Sequence, residues 1–173
     1  MTSHPVRRGG VRSSAAVLTL ALTVAASGCG GSSGGSSKDY YAAIDTFCGK
    51  VTAAAQQVTT DTAAVRRDSK APAADRYAAI TKSLTRFADS TEAALTKLEQ
   101  AKVPAKFSDY QKGTSAGFRT FISTLRTTAA SADKNGPKAL TQLQGKLNAV
   151  KLPDPPKDIT ANAKACASFS PKG

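Results

Sequence analysis

From Ile44 onward the apolar residues recur at gaps of three and four, and prolines or glycines stop each run. That period belongs to a helix with one buried face, not to a strand. The first run places Ile44, Phe47, Val51, Ala54, Val58, Thr62 and Val65 on one side of a long helix. Ser36, followed three residues later by Asp39, has the spacing of a capping box at its start. Asp68-Ser69-Lys70-Ala71-Pro72 interrupts the pattern, and Pro72 suits the first turn of the next helix. The second face is Tyr77, Ile80, Leu84, Phe87, Thr91, Leu95 and Leu98. Val103-Pro104 closes it, because a residue before proline avoids helical angles. The third face is Phe107, Tyr110, Thr114, Phe118, Phe121, Leu125 and Ala132, stopped by Asn135-Gly136-Pro137. A shorter fourth element carries Ala139, Leu140, Leu143, Leu147 and Val150. Leu152-Pro153-Asp154-Pro155-Pro156 then reads as a stiff extended connector. A last short helix over about 157–167 presents Ile159, Ala163 and Cys166.

No segment alternates at the period of a strand, and short connections between long helices favour antiparallel neighbours. The expected fold is therefore all-α. It is an up-down antiparallel bundle of about four helices plus a short C-terminal helix, stapled by one disulfide. At 173 residues the chain suits one domain. Only 6% of the residues are aromatic and there is no Trp, so the core is expected to be rich in Ala, Leu and Val. Alanine forms helices well and lets their axes approach closely, but it buries little area.

The first residues have the layout of an export signal. Arg7, Arg8 and Arg12 are followed by an uncharged apolar run, AAVLTLALTVAA, over 15–26. That run is shorter than the ~18–20 residues that span a bilayer, so a cleaved signal over 1–28 is preferred to a permanent membrane helix. Gly9, Gly10 and Val11 follow the arginine pair without the bulky residues of a twin-arginine signal. Next comes Ala26-Ser27-Gly28-Cys29, which resembles a bacterial lipobox, although Ala26 stands where Leu is favoured. The resemblance implies that Cys29 is acylated with lipid and becomes the first residue of the mature chain. The alternative is ordinary cleavage near Ala26 with Cys29 incidental. GGSSGGSS over 30–37 is a flexible coil, and a tether over 29–38 would reach roughly 17 Å on average. The bundle domain would then occupy 39–173.

Cys48 and Cys166 remain. Two distant cysteines in an exported domain read as one structural disulfide. Neither sits in a C-x-x-C pair, and the single His is His4, inside the signal.

Chemistry is sparse in the mature chain. Without a mature His, Ser-His and Cys-His nucleophile arrangements and His-based metal sites are excluded, so no metal and no cofactor is expected. Ser131-Ala132-Asp133-Lys134 fits S-x-x-K, but the companion motifs of the Ser/Lys hydrolases are missing. Asp154 and Asp158 lie near Lys151 and Lys157, and Glu92 and Glu99 are expected on the solvated side of the second helix with lysine partners. The remaining signal is charge. The formal total is +12, and cleavage before Cys29 removes three arginines and no acid, leaving +9. Lys112, Arg119 and Arg126 are seven apart and form a basic stripe along the third helix. The stripe suits anionic wall polymers, lipid headgroups or an acidic envelope protein. The competing reading is a solubilising face. Nucleic acid is not expected, since no aromatic residues interleave with the basic ones.

The lipobox, the Gly/Ser tether, the Ala/Thr-rich helices and the two distant cysteines together resemble the small lipoproteins and small secreted proteins of high-GC actinobacteria. That resemblance implies an anchor at the outer face of the cytoplasmic membrane and carries no settled activity. The expected function is a non-catalytic helical binding module at the cell envelope. Its alternatives are an electrostatic binder of anionic polymers or lipids and, third, a Ser/Lys hydrolase.

Overall fold

The computed structural model describes residues 35–169, apart from the side chains of 133–135, 168 and 169. The expected signal over 1–28, Cys29 and most of the tether lie outside the described residues. The fold is all-helical, and its frame is three long helices: α1 (Ser37–Arg67), α2 (Ala73–Glu99) and α3 (Ser108–Asn135). α1 packs on α2 and α2 packs on α3, giving the expected up-down-up order.

Each boundary has a local cause. The Ser36 hydroxyl accepts the Asp39 N–H at 3.1 Å and donates to the Asp39 carboxylate at 2.7 Å. α1 therefore begins at Ser37, and the last residues of the expected tether belong to the helix and its cap. Pro72, extended at φ −53° and ψ 145°, is the N-cap of α2. Beyond α2 a 3₁₀ turn, Ala105–Phe107, starts behind Pro104 and leads into α3. Gly136 ends α3 at φ +66°, a left-handed conformation that costs other residues energy, and Pro137 opens the next helix.

Two expectations change here. The single fourth helix is two short ones, α4 (Pro137–Thr141) and α5 (Leu143–Asn148), parted at Gln142. Leu140, Leu143 and Leu147 only half-bury against the core, and Gly145 is a weak helix former with nothing beside it. Too little packing holds one continuous helix there. The last helix also stops early. α6 (Lys157–Asn162) breaks at Ala163, where φ −111° and ψ 82° turn the chain into a 3₁₀ segment, Lys164–Phe169. The turn brings Cys166 onto α1, where the Ala165 N–H donates to the Asp45 carboxylate at 2.8 Å.

The core is continuous along one half of the bundle. Ile44, Phe47 and Val51 of α1 are buried as expected, and Tyr40, one turn earlier, is fully buried with them. Leu84, Leu95 and Leu98 of α2 face Phe118, Ile122 and Leu125 of α3 in the same cluster. Aromatic rings link the helices: Phe47 meets Phe118 edge-on at 4.8 Å, Phe118 meets Phe121 at 6.0 Å, and Phe121 meets Phe87 at 5.7 Å. Tyr40 stacks on Phe107 at 5.3 Å and donates its hydroxyl to Gln111 Oε1 at 2.7 Å. Burial drives the Tyr40 phenol well above its ordinary pKa, with the neighbouring Tyr110 adding to the shift, so it stays a neutral donor. Cys48 and Cys166 form the expected disulfide, with Cα atoms 5.1 Å apart, across 118 residues of sequence.

Candidate functional site

The connector after α5 positions a site that the sequence pattern does not announce. Residues 150–156 form neither helix nor strand, and Lys151, Leu152 and Pro153 lie over α3 at its two glycines, Gly113 and Gly117. A Cβ on Gly117 would sit 2.6 Å from a Leu152 methyl and 2.8 Å from the Lys151 carbonyl oxygen. A Cβ on Gly113 would meet Pro153 at 3.2 Å. The two glycines, four apart on one face of the helix, are what lets the strap lie directly on the α3 backbone.

Under the strap is a partly enclosed cavity of about 60 Å³. α1 supplies Ile44, Phe47 and Cys48, and α3 supplies Tyr110, Thr114 and Phe118. Leu98 of α2, Leu152, Pro153 and Pro155 of the strap and Cys166 of the disulfide complete the lining. No lining side chain is charged. Burial raises the Tyr110 phenol above its ordinary pKa, and the adjacent Thr114 hydroxyl offsets part of that. Thr114 is only 6% exposed, and its hydroxyl is buried beside the Tyr110 phenol. Leu152, which also lines the cavity, is 45% exposed, the one large hydrophobic residue so exposed among the described residues.

The predicted basic stripe has a different character from that expected. Arg119 and Arg126 do lie along one edge of α3, but that edge faces the acids of α2. Arg119 grips Glu99 with two bonds, Nε at 3.1 Å and Nη2 at 2.7 Å. Arg126 Nη2 bonds both Asp89 and Glu92 at 2.7 Å. The Arg126 bond holds the Glu92 carboxyl below its ordinary range, and Glu92 in turn raises the guanidinium. The expected lysine partners of Glu92 and Glu99 are thus arginines of the next helix. Lys112 is exposed and forms no ion pair among the described residues. The stripe is therefore two charge-compensated interhelical clamps and one solvated lysine. Sequence spacing could not show this because the partners lie on another helix, and helical spacing reports only neighbours on the same one.

Asp158 is likewise paired with Lys106 at 2.7 Å, not with Lys157. The hydrogen bond to Lys106 lowers the Asp158 pKa and raises that of Lys106, whose Nζ also sits 4.7 Å above the Phe107 ring. Ser131 lies on α3, and the side chain of Lys134 is outside the described residues, so the S-x-x-K pair has no geometry to report. Among the described residues no three Cys, His, Asp or Glu side chains gather as metal ligands, and no helix is long and apolar enough to cross a membrane.

No protein-family model matches the chain, and neither a curated protein nor a solved structure matches it.

Proposed function

We propose that the chain is a cell-envelope lipoprotein, held at the outer face of the cytoplasmic membrane by an acylated Cys29, whose helical domain is a non-catalytic binding module. The observation that carries this reading is the buried disulfide between Cys48 and Cys166. Structural disulfides persist in oxidising compartments and are rare where thiols are kept reduced. Export is the route that the basic start, the apolar run and Ala26-Ser27-Gly28-Cys29 are suited to provide. The binding role is supported by a partly enclosed, largely apolar cavity lined by the long helices and the disulfide. The electrostatic alternative has weaker support, because two of its three stripe residues are already paired with Glu99, Asp89 and Glu92.

Metabolic labelling with a fatty-acid analogue, followed by mass spectrometry of the mature N-terminus, tests the anchor. The expected result is a labelled chain beginning at Cys29, and a Cys29→Ala form released from membranes. An unlabelled chain, or a Cys29→Ala form still as firmly attached, contradicts it.

A further inference from the structure

We infer that the strap face of the bundle, centred on Leu152, is a docking surface for an anionic lipid bilayer and sets how the domain lies on the membrane. This deepens the envelope reading and rests on acylation of Cys29.

The place where the chain enters the bundle selects the end that meets the membrane. Gly35 lies so close to the α2–α3 connection that a Cβ there would collide with the Lys102 main chain. Six residue steps join Cys29 to Gly35, a span of at most about 22 Å. The far hairpin turn, with Arg66, Arg67 and Lys70, is basic too, but it lies the length of α1 away, about 45 Å. An acyl group on Cys29 therefore brings the Lys102 end to the headgroups first.

The strap belongs to that end. Pro153 rests on Gly113 in the second turn of α3. Lys106, in the 3₁₀ turn just after Lys102, pairs with Asp158 just past the strap. Two features of this face suit a bilayer interface. Leu152 is nearly half exposed, more than any other large hydrophobic residue among the described residues. Lys102, Lys112, Lys151 and Lys157 are exposed and form no ion pair among the described residues. Against them stand Asp109 and Asp154, while Lys38 and Asp39 offset each other, Asp158 is taken by Lys106 and Glu99 by Arg119. The lysine excess attracts anionic headgroups, and an exposed leucine gains by entering the acyl boundary. A soluble anionic polymer would satisfy the lysines and leave Leu152 in water, so the leucine favours a bilayer. The excess is small, so this face orients a domain already tethered and does not recruit a free one.

The chain contains no Trp, so Leu152→Trp places a lone indole in the strap and Ser69→Trp one in the far turn. Each full, acylated chain is reconstituted on vesicles with brominated acyl chains, made either of phosphatidylcholine alone or with an equal share of phosphatidylglycerol. The expected result is at least twofold quenching of the Leu152→Trp indole on anionic vesicles, less on neutral vesicles or in high salt, and none for Ser69→Trp. Adding Lys112→Glu, Lys151→Glu and Lys157→Glu to Leu152→Trp, all at exposed positions, should remove the anionic preference. Equal quenching at the two sites, equal quenching on the two lipids, or a preference that survives charge reversal overturns the inference. A chain that floats with the vesicles but shows no quenching of Leu152→Trp overturns the docking alone. A chain that carries no fatty acid and does not float overturns the anchor with it, so the two failures are distinguishable.

Discussion

At the Tyr40 end of α1 a buried residue comes every three or four positions, whereas from Ala54 to Arg67 the same helix buries none. The first end is held by rings, a disulfide and the strap. The second has half-buried Val58 against the core and is tied by a polar node. Asp61 accepts Ser83 Oγ at 2.6 Å, Gln57 Nε2 at 2.8 Å and Arg86 Nη2 at 2.7 Å, which ties the two arms of the α1–α2 hairpin together. The Ser83 bond, then the Gln57 bond and the Arg86 charge, hold the Asp61 carboxyl below its ordinary range. The lesson is that an unbroken helical stripe does not imply an unbroken core. The helix continues through Val58 and Val65 because alanine-rich sequence sustains it, while α3 and the C-terminal segment cover only its first half.

The contrast is broken most severely at the disulfide. Replacing Cys48 and Cys166 together by Ala removes a link across 118 residues, and the chain-entropy model gives a loss of about 5 kcal/mol. That is a large share of the ~5–15 kcal/mol typical of a small domain. Calorimetry of the variant should show a large fall in Tm; a loss under about 1 kcal/mol would mean that the strap end is held by packing alone.

Next in size is a pair of alanine substitutions at helical glycines. Gly117→Ala forces Leu152 and the Lys151 carbonyl off α3, and overpacking of this kind costs about 1–3 kcal/mol. Gly145→Ala meets nothing and should stabilise by about 0.5–1 kcal/mol, the ordinary helix preference. Denaturant midpoints of the two variants should move in opposite directions.

The smallest effect is the response to pH, and it has opposite signs at Asp61 and at Tyr40. Asp61 is depressed below its ordinary 3.8, so its stabilisation is present above that pH and is lost as pH falls through the lowered value. Tyr40 is raised above its ordinary 10.0, so stability is complete below pH 10 and declines as pH rises beyond it. Alkali should loosen the packing around Tyr40, and acid should weaken both the Asp61 node and the Lys106–Asp158 pair, as read from residue-specific amide protection.

Much of the fold is legible in the chain itself. The all-α class, the three long helices, the turn at Gly136 and the cysteine pair follow from period, punctuation and composition. The expected core omits Tyr40, although it stands one turn before Ile44 on the same face, because a Tyr-Tyr pair near a cap looks exposed. The cavity is not legible. It exists because Gly113 and Gly117 admit the Leu152-Pro153 strap, and a glycine in a helix pattern reads as a weakness before its partner is known. The clamps of Arg119 and Arg126 are hidden for the same reason, since register between α2 and α3 is set by packing and not by either helix alone.

Native-state hydrogen exchange of the intact chain tests the difference between the two ends most directly. The account predicts that amides of Ile44, Phe47 and Val51 exchange only through global unfolding, while those from Val58 to Val65 exchange through cheaper local opening. Equal protection along the whole of α1 would contradict it.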